Sequence, residues 1–266
     1  MGSSASKKMI FSDVTDDRLL FERFLKACFS GDLEIAKSSF RCRYLTNNPD
    51  EAFISACRYG GCLELAKWIL ENSPSPEDLL HAKNEEPFRW ACAEGHLEVA
   101  KWIVDISRNT NHPCNIHHNN DITFSLACRC GHLEVAKWIF DISPRNTLLF
   151  NSTAEFKWIC YNDHFDLAKW IFEISKNTDD PCNIHIDDDM PFREACKHGN
   201  LEFAKWIIQI DRKCNIRAKN DEAFRFACLF ASTTEKILEI AQWLCTLCAN
   251  YSISISIDNK CSWAIK

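Results

Sequence analysis

A chain of 266 residues with 46% hydrophobic and 26% charged residues has the composition of an ordinary folded protein. Its formal net charge of −6 disfavours general nucleic-acid binding, because neutralising phosphates requires a basic surface. No segment approaches the roughly eighteen apolar residues of a membrane span, and no apolar signal-peptide region follows the start.

The chain opens with a polar segment, residues 1–15. Its start fits the N-myristoylation pattern, with Gly2 exposed after removal of Met1 and Ser6 at the sixth position. A frayed polar terminus or an expression-tag remnant fits the same residues. A single acyl chain binds membranes only marginally, so any attachment through Gly2 is expected to be reversible.

From residue 16 to about 252 one motif recurs. Residues 95–103 and 131–139 share the sequence Gly-His-Leu-Glu-Val-Ala-Lys-Trp-Ile, and looser copies precede and follow them. The apolar residues that lead the copies are Leu33, Leu63, Leu97, Leu133, Phe165, Leu201 and Leu238. The gaps between these positions, 30, 34, 36, 32, 36 and 37 residues, indicate stacked supersecondary units.

Each repeat is predicted to contain two helices. In the copy at 88–103, Phe88 and Cys92 share one helical stripe, and Gly95 is placed to end this first helix in a left-handed conformation. The second helix carries apolar residues on nearly three sides, which a partner helix and two neighbouring repeats would cover. Its Trp102 is therefore predicted to stack between repeats.

Sixteen cysteines suggest a disulfide scaffold until they are placed on the repeat. One repeat position holds Cys28, Cys57, Cys92, Cys128, Cys160, Cys196 and Cys228, and a second holds Cys114, Cys182 and Cys214. Equivalent positions in stacked repeats lie about 10 Å apart, too far for direct cross-linking. The cysteines are therefore predicted to be reduced thiols in an intracellular protein.

The last residues, 253–266, alternate Ile with Ser and then read as the start of another first helix around Trp263 and Ala264. They are predicted to form a C-terminal half-repeat that caps the array.

The sequence of residues 88–103, a first helix, a Gly-His-Leu-Glu-Val turn and a second helix, resembles the ankyrin repeat. The resemblance implies an all-α, ankyrin-like helix-turn-helix solenoid of about seven repeats plus the half-repeat. Among ankyrin-repeat proteins, this variant looks most like those of giant DNA viruses of amoebae, which would place it in host cytoplasm. The Thr-Pro-Leu-His start of the family is reduced to Pro87-Phe88-Arg89. The fingers, the polar segments before the first helices, are therefore expected to be irregular loops instead of tight β-hairpins.

The resemblance also implies a monomeric, non-catalytic scaffold that binds a protein partner on its concave face and fingers, with no cofactor and no metal. No nucleophile–base set argues for an enzyme. By analogy with the family, the candidate partner-binding residues are Arg58, Tyr59, Glu85, Glu86, Arg89, Ala93, Glu94, His118, Asn120, Arg129, Asp188, Arg193, Lys197, His198, Asp221 and Arg225.

Two other functions stay open. The first is a membrane-associated adaptor acylated at Gly2. The second is zinc binding, for which a structural site needs two converging ligand pairs. The candidate ligands form three clusters: His112, Cys114, His117 and His118; Cys182 and His185; and Cys245 and Cys248. The acidic residues 187–189 read as a solvated finger, a contact for a basic partner or a weak calcium site.

Overall fold

The computed structural model describes residues 18–40, 49–143, 152–178, 180–230, 235–255 and 261–265. The chain divides into two compact units, Met1–Phe150 and Asn151–Lys266. Each of the seven predicted repeats contributes a helix pair to one of these units. The predicted all-α architecture of helix-turn-helix repeats is therefore confirmed.

The first unit contains four helix pairs in its described residues. In chain order its helices are 18–30 (α1), Leu33–Ser39 (α2), Pro49–Ser55 (α3), a π-helix Ala56–Gly60, Leu63–Glu71 (α4), Pro76–Leu80 (α5), Ala82–Ala93 (α6), Leu97–Ser107 (α7), His118–Arg129 (α8) and Leu133–Ile142 (α9). The first helix of one repeat packs on the first helix of the next, as α6 does on α3 and α8.

The second unit holds the remaining pairs and ends in a β-hairpin. Its elements are Ser152–Tyr161 (α10), Phe165–Ser175 (α11), Ile186–His198 (α12), Leu201–Ile210 (α13), Ala218–Phe230 (α14), Glu235–Leu247 (α15), Tyr251–Ile255 (β1) and Cys261–Ile265 (β2). Here α12 packs between the first helices α10 and α14.

The core of each unit is a column of one large and several small side chains. The first helices contribute a fully buried Phe and a buried Cys, for example Phe88 and Cys92. The second helices contribute an Ala that is 0% exposed, such as Ala100, where two helices approach closely. Burial raises the pKa of these thiols, to about 12 for Cys28. The ten cysteines at the two repeat positions form no disulfide bonds.

The tryptophans of the second helices connect neighbouring repeats, as predicted. The Trp102 ring packs edge-on against Phe53 of the preceding repeat, with ring centroids 6.3 Å apart. Trp243 lies at the same distance from Phe192. The indoles are half-buried, and those of Trp102, Trp138 and Trp243 each contact the Phe of the preceding first helix.

The turns between paired helices combine a left-handed residue with a contact to the preceding repeat. Gly95 has φ of 80°, and the next residue, His96, donates its N–H to the Ala91 carbonyl at 2.8 Å. The His96 ring packs on Gly61 of the previous turn and its Nε2 lies 2.8 Å from the Arg58 carbonyl oxygen. A Cβ on Gly61 would overlap that ring, so the sequence needs glycine there for both backbone conformation and space.

The C-terminal segment corrects the prediction of a helical half-repeat at 253–266. β1 and β2 pair antiparallel, with Ile253 opposite Trp263. The alternation of Ile and Ser is the period of a strand, and it outweighs the helix-like Trp-Ala-Ile. Tyr251 stacks on Phe224 with ring centroids 4.1 Å apart. The hairpin therefore caps α14, the first helix of the last repeat.

The described fingers contain left-handed turns that the sequence analysis did not predict. Residues 187, 188 and 189 have φ angles of 51°, 57° and 58°, and residues 83–85, 119–121 and 219–221 adopt the same conformation. Asn and Asp tolerate this region better than other side-chain-bearing residues, and they supply most of these positions. In the described fingers, such a turn leads directly into the first helix in place of a β-hairpin.

Candidate protein-interaction surface

Each described left-handed turn ends in a buried carboxylate, and those of Glu85, Asp189 and Asp221 also bond the next element along the chain. Asp189 is 5% exposed and lies 2.5 Å from Nδ1 of His185, four residues earlier. Its other oxygen accepts the backbone N–H of Asn215, in the next repeat, at 3.0 Å. The carboxylate also stands at the N-terminus of the right-handed part of α12, where negative charge is favourable.

The same arrangement occurs at Glu85 and Asp221. Glu85 lies 2.9 Å from His81 and accepts the Asn115 N–H at 3.3 Å. Asp221 accepts from Arg217 at 2.7 Å and from the Tyr251 hydroxyl at 2.6 Å. The hydrogen bond from Arg217 is the main reason why the pKa of Asp221 is lowered.

Three of the predicted partner-binding residues are therefore internal. Glu85 and Asp221 are 7% and 8% exposed and carry the contacts between repeats, and Ala93 is 3% exposed. Finger position was the reason for choosing the two acids, but the left-handed turn directs the third side chain of each finger inward. Their prediction as exposed contacts is wrong.

Two predicted arginines support the finger backbone. Arg193 donates from Nη2 to the Asp187 carbonyl at 2.8 Å and from Nε to the Asp188 carbonyl at 3.1 Å, and it also forms an ion pair with Glu222. Arg89 donates to the Lys83 carbonyl at 3.4 Å in the equivalent turn. These contacts within the chain account for an arginine at this position, and no binding partner is needed to explain it.

The acidic finger at 187–189 is paired within the second unit. Lys157 forms an ion pair with Asp187, and Lys219 lies 2.7 Å from Asp188. The hydrogen bond from Lys219 is the main cause of a lowered pKa at Asp188. Each pair joins adjacent repeats, so these acids are engaged by neighbouring lysines.

Exposed aromatic side chains concentrate on the first-helix face, meaning the positions two, five and six residues after the buried Phe of each repeat. In the first unit, Phe29 and Tyr59 are 42% and 48% exposed, and their rings lie 4.8 Å apart. The Arg58 guanidinium lies between the Tyr59 ring, at 4.5 Å, and the Trp90 ring, at 3.3 Å. Its Nε donates to Glu94 at 3.3 Å.

In the second unit the same face carries a larger aromatic surface. Trp158 and Tyr161 of α10 are 47% and 53% exposed and meet edge to face at 6.3 Å. The Lys197 ammonium of α12 lies 5.2 Å from the Tyr161 ring and 6.0 Å from the Phe226 ring of α14. Phe226 in turn stacks with Phe230, which is 43% exposed.

The outer face of the second helices is ionic by contrast. Each described repeat places an acid at the second helical position and a Lys or Gln three residues later. Lys101 bonds Glu98 at 3.2 Å, and Lys137 bonds Glu134 at the same distance. A solvated row of i,i+3 pairs is typical of a surface exposed to water.

The remaining predicted residues lie at or near the surface. Arg58, Glu86, Arg89, His118, Arg193 and Lys197 are partly exposed, whereas Tyr59, Glu94, Asn120, Arg129, Asp188, His198 and Arg225 are exposed. Gly2 lies outside the described residues. Binding by these residues stays a prediction.

Sequence reasoning missed the aromatic part of this face. Phe29, Trp90, Trp158, Tyr161, Phe226 and Phe230 were not chosen. The signal was available, since advancing about 100° per residue places these positions opposite the stripe of Phe, Ala and Cys. Analogy with the ankyrin family selects finger residues and exposed first-helix positions, and it does not single out these rings.

The described residues offer no assembled metal site. No group of three or more His, Cys, Asp or Glu among them could hold a metal ion. Cys114 instead hydrogen-bonds Glu85, and burial is the main cause of its raised pKa. In the same part of the chain, no helix is long and apolar enough to cross a membrane.

Comparison with known proteins supports the ankyrin-repeat prediction. Residues 53–148 match the family described as "Ankyrin repeats (3 copies)". No curated protein matches the chain. Among solved structures, the chain is similar to the ankyrin repeat domain of human ASB11, with 17% identity, a TM-score of 0.46, and coverage of 82% of this chain and 96% of that one. The match identifies residues 53–148 as ankyrin repeats, and the helix pairs that precede and follow them repeat the same helix-turn-helix architecture. The narrower resemblance to proteins of amoebal giant viruses stays a prediction.

Proposed function

We propose that this chain is a non-catalytic scaffold that binds protein partners through the first-helix faces of its two units. The observation that carries the proposal is the position of the exposed apolar side chains. Among the described residues, more than half of the large exposed apolar side chains lie on this face: Phe29, Tyr59, Trp158, Tyr161, Leu229 and Phe230. Clustered exposed aromatic residues are costly in water and are enriched where proteins associate.

The contrast between the two helix faces supports this choice. The second-helix face offers solvated Glu–Lys pairs in which the acid is more exposed than the lysine, so a partner meets no uncompensated positive charge there. The first-helix face offers rings held in place by neighbouring rings and by Arg58 or Lys197. Rigid aromatic side chains lose little entropy on binding, so they make efficient anchors.

The proposal is tested by substituting one face at a time. Full-length chain carrying Trp158→Ala and Tyr161→Ala, and a matched chain carrying Glu202→Ala and Lys205→Ala, are used to capture partners from native cells. The aromatic pair is exposed, so both variants should keep the melting temperature of the parent. We expect the aromatic variant to lose the partner and the ionic variant to retain it. The opposite result would assign binding to the second helices.

A second function, reversible membrane association, is supported only by the sequence at Gly2 and Ser6. We propose acylation at Gly2 as an addition to the scaffold function. Replacing Gly2 with Ala should move the protein from the membrane fraction to the soluble fraction and leave partner capture unchanged. Equal fractionation of both forms would remove this function.

A further inference from the structure

The aromatic–lysine patch, formed by Trp158, Tyr161, Lys197, Phe226 and Phe230, crosses three consecutive repeats of the second unit. The Trp158 ring contacts the Tyr161 ring, and the Phe226 ring contacts the Phe230 ring. The Lys197 ammonium lies between these two groups, within 6.0 Å of a ring on either side. A partner crossing the patch therefore meets rings, then a cation, then rings.

The charge that this patch presents outward is positive. Lys197 bonds Glu194 at 2.9 Å, but the Lys side chain is 33% exposed and the Glu side chain only 11%. His198 also contacts Glu194, at 3.4 Å, so the acid lies beneath two basic groups. Arg225, next to Phe226, is exposed as well. The outer surface is thus cationic in a chain whose net charge is −6.

The spacing of the patch sets the pattern that a partner would need. Packed helices lie about 8–10 Å apart, so neighbouring repeats present their groups at about that interval. Three extended residues or two helical turns span the same distance. One carboxylate over Lys197 would then place side chains of the same segment over the rings on both sides.

On this basis, and resting on the proposed function, we propose that the patch binds an acidic protein segment in which an Asp or Glu is flanked on both sides by aromatic or aliphatic residues. The carboxylate accepts hydrogen bonds from the Lys197 ammonium, and its flanking residues pack on Tyr161 and Trp158 at one end and on Phe226 and Phe230 at the other. Cationic charge set among aromatic rings favours carboxylates, and the surrounding apolar contacts exclude water from that pair.

The test uses the full chain and a random-peptide display library as the probe. Enriched peptides should carry an acid bracketed by apolar residues. Synthetic copies should lose at least about tenfold in affinity on Lys197→Glu or Lys197→Met, because one charge pair is worth about this much at an interface. The matched control is Lys205→Glu, which breaks an ion pair with Glu202 on the second helix of the same repeat and should change affinity less than about twofold. Lys197→Met keeps the aliphatic stem in case charge reversal beside Glu194 prevents folding.

Several outcomes would overturn the inference. Enrichment of basic or uncharged peptides that still need Trp158 and Tyr161 would refute the acidic partner and leave the proposed function standing. Binding lost on Lys205→Glu and kept on Lys197→Glu would refute both. Failure to enrich any peptide would refute the inference alone, as would a fluorescent single-stranded oligonucleotide that binds more tightly than the peptides and is released by Lys197→Glu.

Discussion

At the scale of single residues, the buried carboxylate at the end of each left-handed turn performs several tasks. Asp189 bonds the residue four positions earlier, accepts a backbone N–H from the next repeat, and hydrogen-bonds the Cys214 thiol. A buried ion tolerates its loss of water only when each oxygen is satisfied in this way. The fingers are therefore part of the packing between repeats as well as part of the surface.

Replacing Asp189 with Asn should destabilise the second unit by about 2–3 kcal/mol, because the amide loses the charge and one of its two acceptors. The measurement is urea unfolding combined with hydrogen exchange at the Asn215 amide. Asp188→Asn is the control, since that residue has the same left-handed backbone but an exposed side chain. It should cost less than about 0.5 kcal/mol. Equal costs at the two positions would contradict the role of the buried carboxylate.

His185 predicts a pH dependence of the same contact. Its pKa is raised mainly by the hydrogen bond to Asp189, and the bond to Asp211 adds to this. A raised folded pKa means that the stabilisation is fully present below the unfolded value, about 6.5, and is lost as pH rises through the folded value. The free energy of unfolding of the parent should therefore fall as pH rises above about 6.5. His185→Gln should show a shallower fall, and identical slopes would show that this imidazole does not contribute.

At the scale of elements, the features that recur with the repeat period could be predicted from the sequence. The helix pairs, the left-handed glycine at 95 and the buried Phe and Cys columns follow from spacing and from the conformational preference of glycine. The left-handed turns at 119–121 and 187–189 could not be read in this way, because Asn and Asp runs are equally typical of solvated loops. The hairpin was missed because Trp263-Ala264 matched the helical repeat, although Ile-Ser alternation before it favoured a strand.

The hairpin should stabilise the last repeat through one hydroxyl. Tyr251 donates to the buried Asp221 at 2.6 Å, so Tyr251→Phe leaves that carboxylate with one donor fewer. A hydrogen bond to a charged group is worth about 1.5–3 kcal/mol, and this is the expected loss in unfolding free energy. Tyr161→Phe removes the hydroxyl of an exposed tyrosine and should change stability by less than about 0.5 kcal/mol. An unchanged unfolding free energy in Tyr251→Phe would show that the hairpin acts through ring stacking on Phe224 alone.

At the scale of the whole molecule, the repeats divide their surfaces by chemistry. The second helices present paired charges, and the first helices present rings and cations. The candidate surface could be predicted only in outline, because helix spacing gives the outward positions but not which charges pair with each other. Arg58 beside Glu94 and Lys197 above Glu194 show why, since both pairs depend on side-chain geometry.

The alkylation rates of the buried cysteines can report how strongly neighbouring repeats are coupled. Each first helix carries a buried thiol, and burial raises the pKa of Cys57 and Cys92, so alkylation requires local opening. In the first unit, Gly61→Ala should displace the His96 ring and strain a backbone with φ of 50°, at a cost of about 2–4 kcal/mol. We expect Cys57 and Cys92, in the two repeats that meet at this contact, to label faster by the largest factor.

Cys128, one repeat further along, should accelerate less, because stacked repeats interact chiefly with their neighbours. The rates are read residue by residue by mass spectrometry, with exposed Cys130 as the internal reference for reagent. In a His96→Ala background the ring is absent, so Gly61→Ala should retain only the backbone part of its cost, about 1–2 kcal/mol. Equal acceleration of all three buried thiols would mean that the unit opens as one cooperative body, and the coupling would then extend well beyond adjacent repeats.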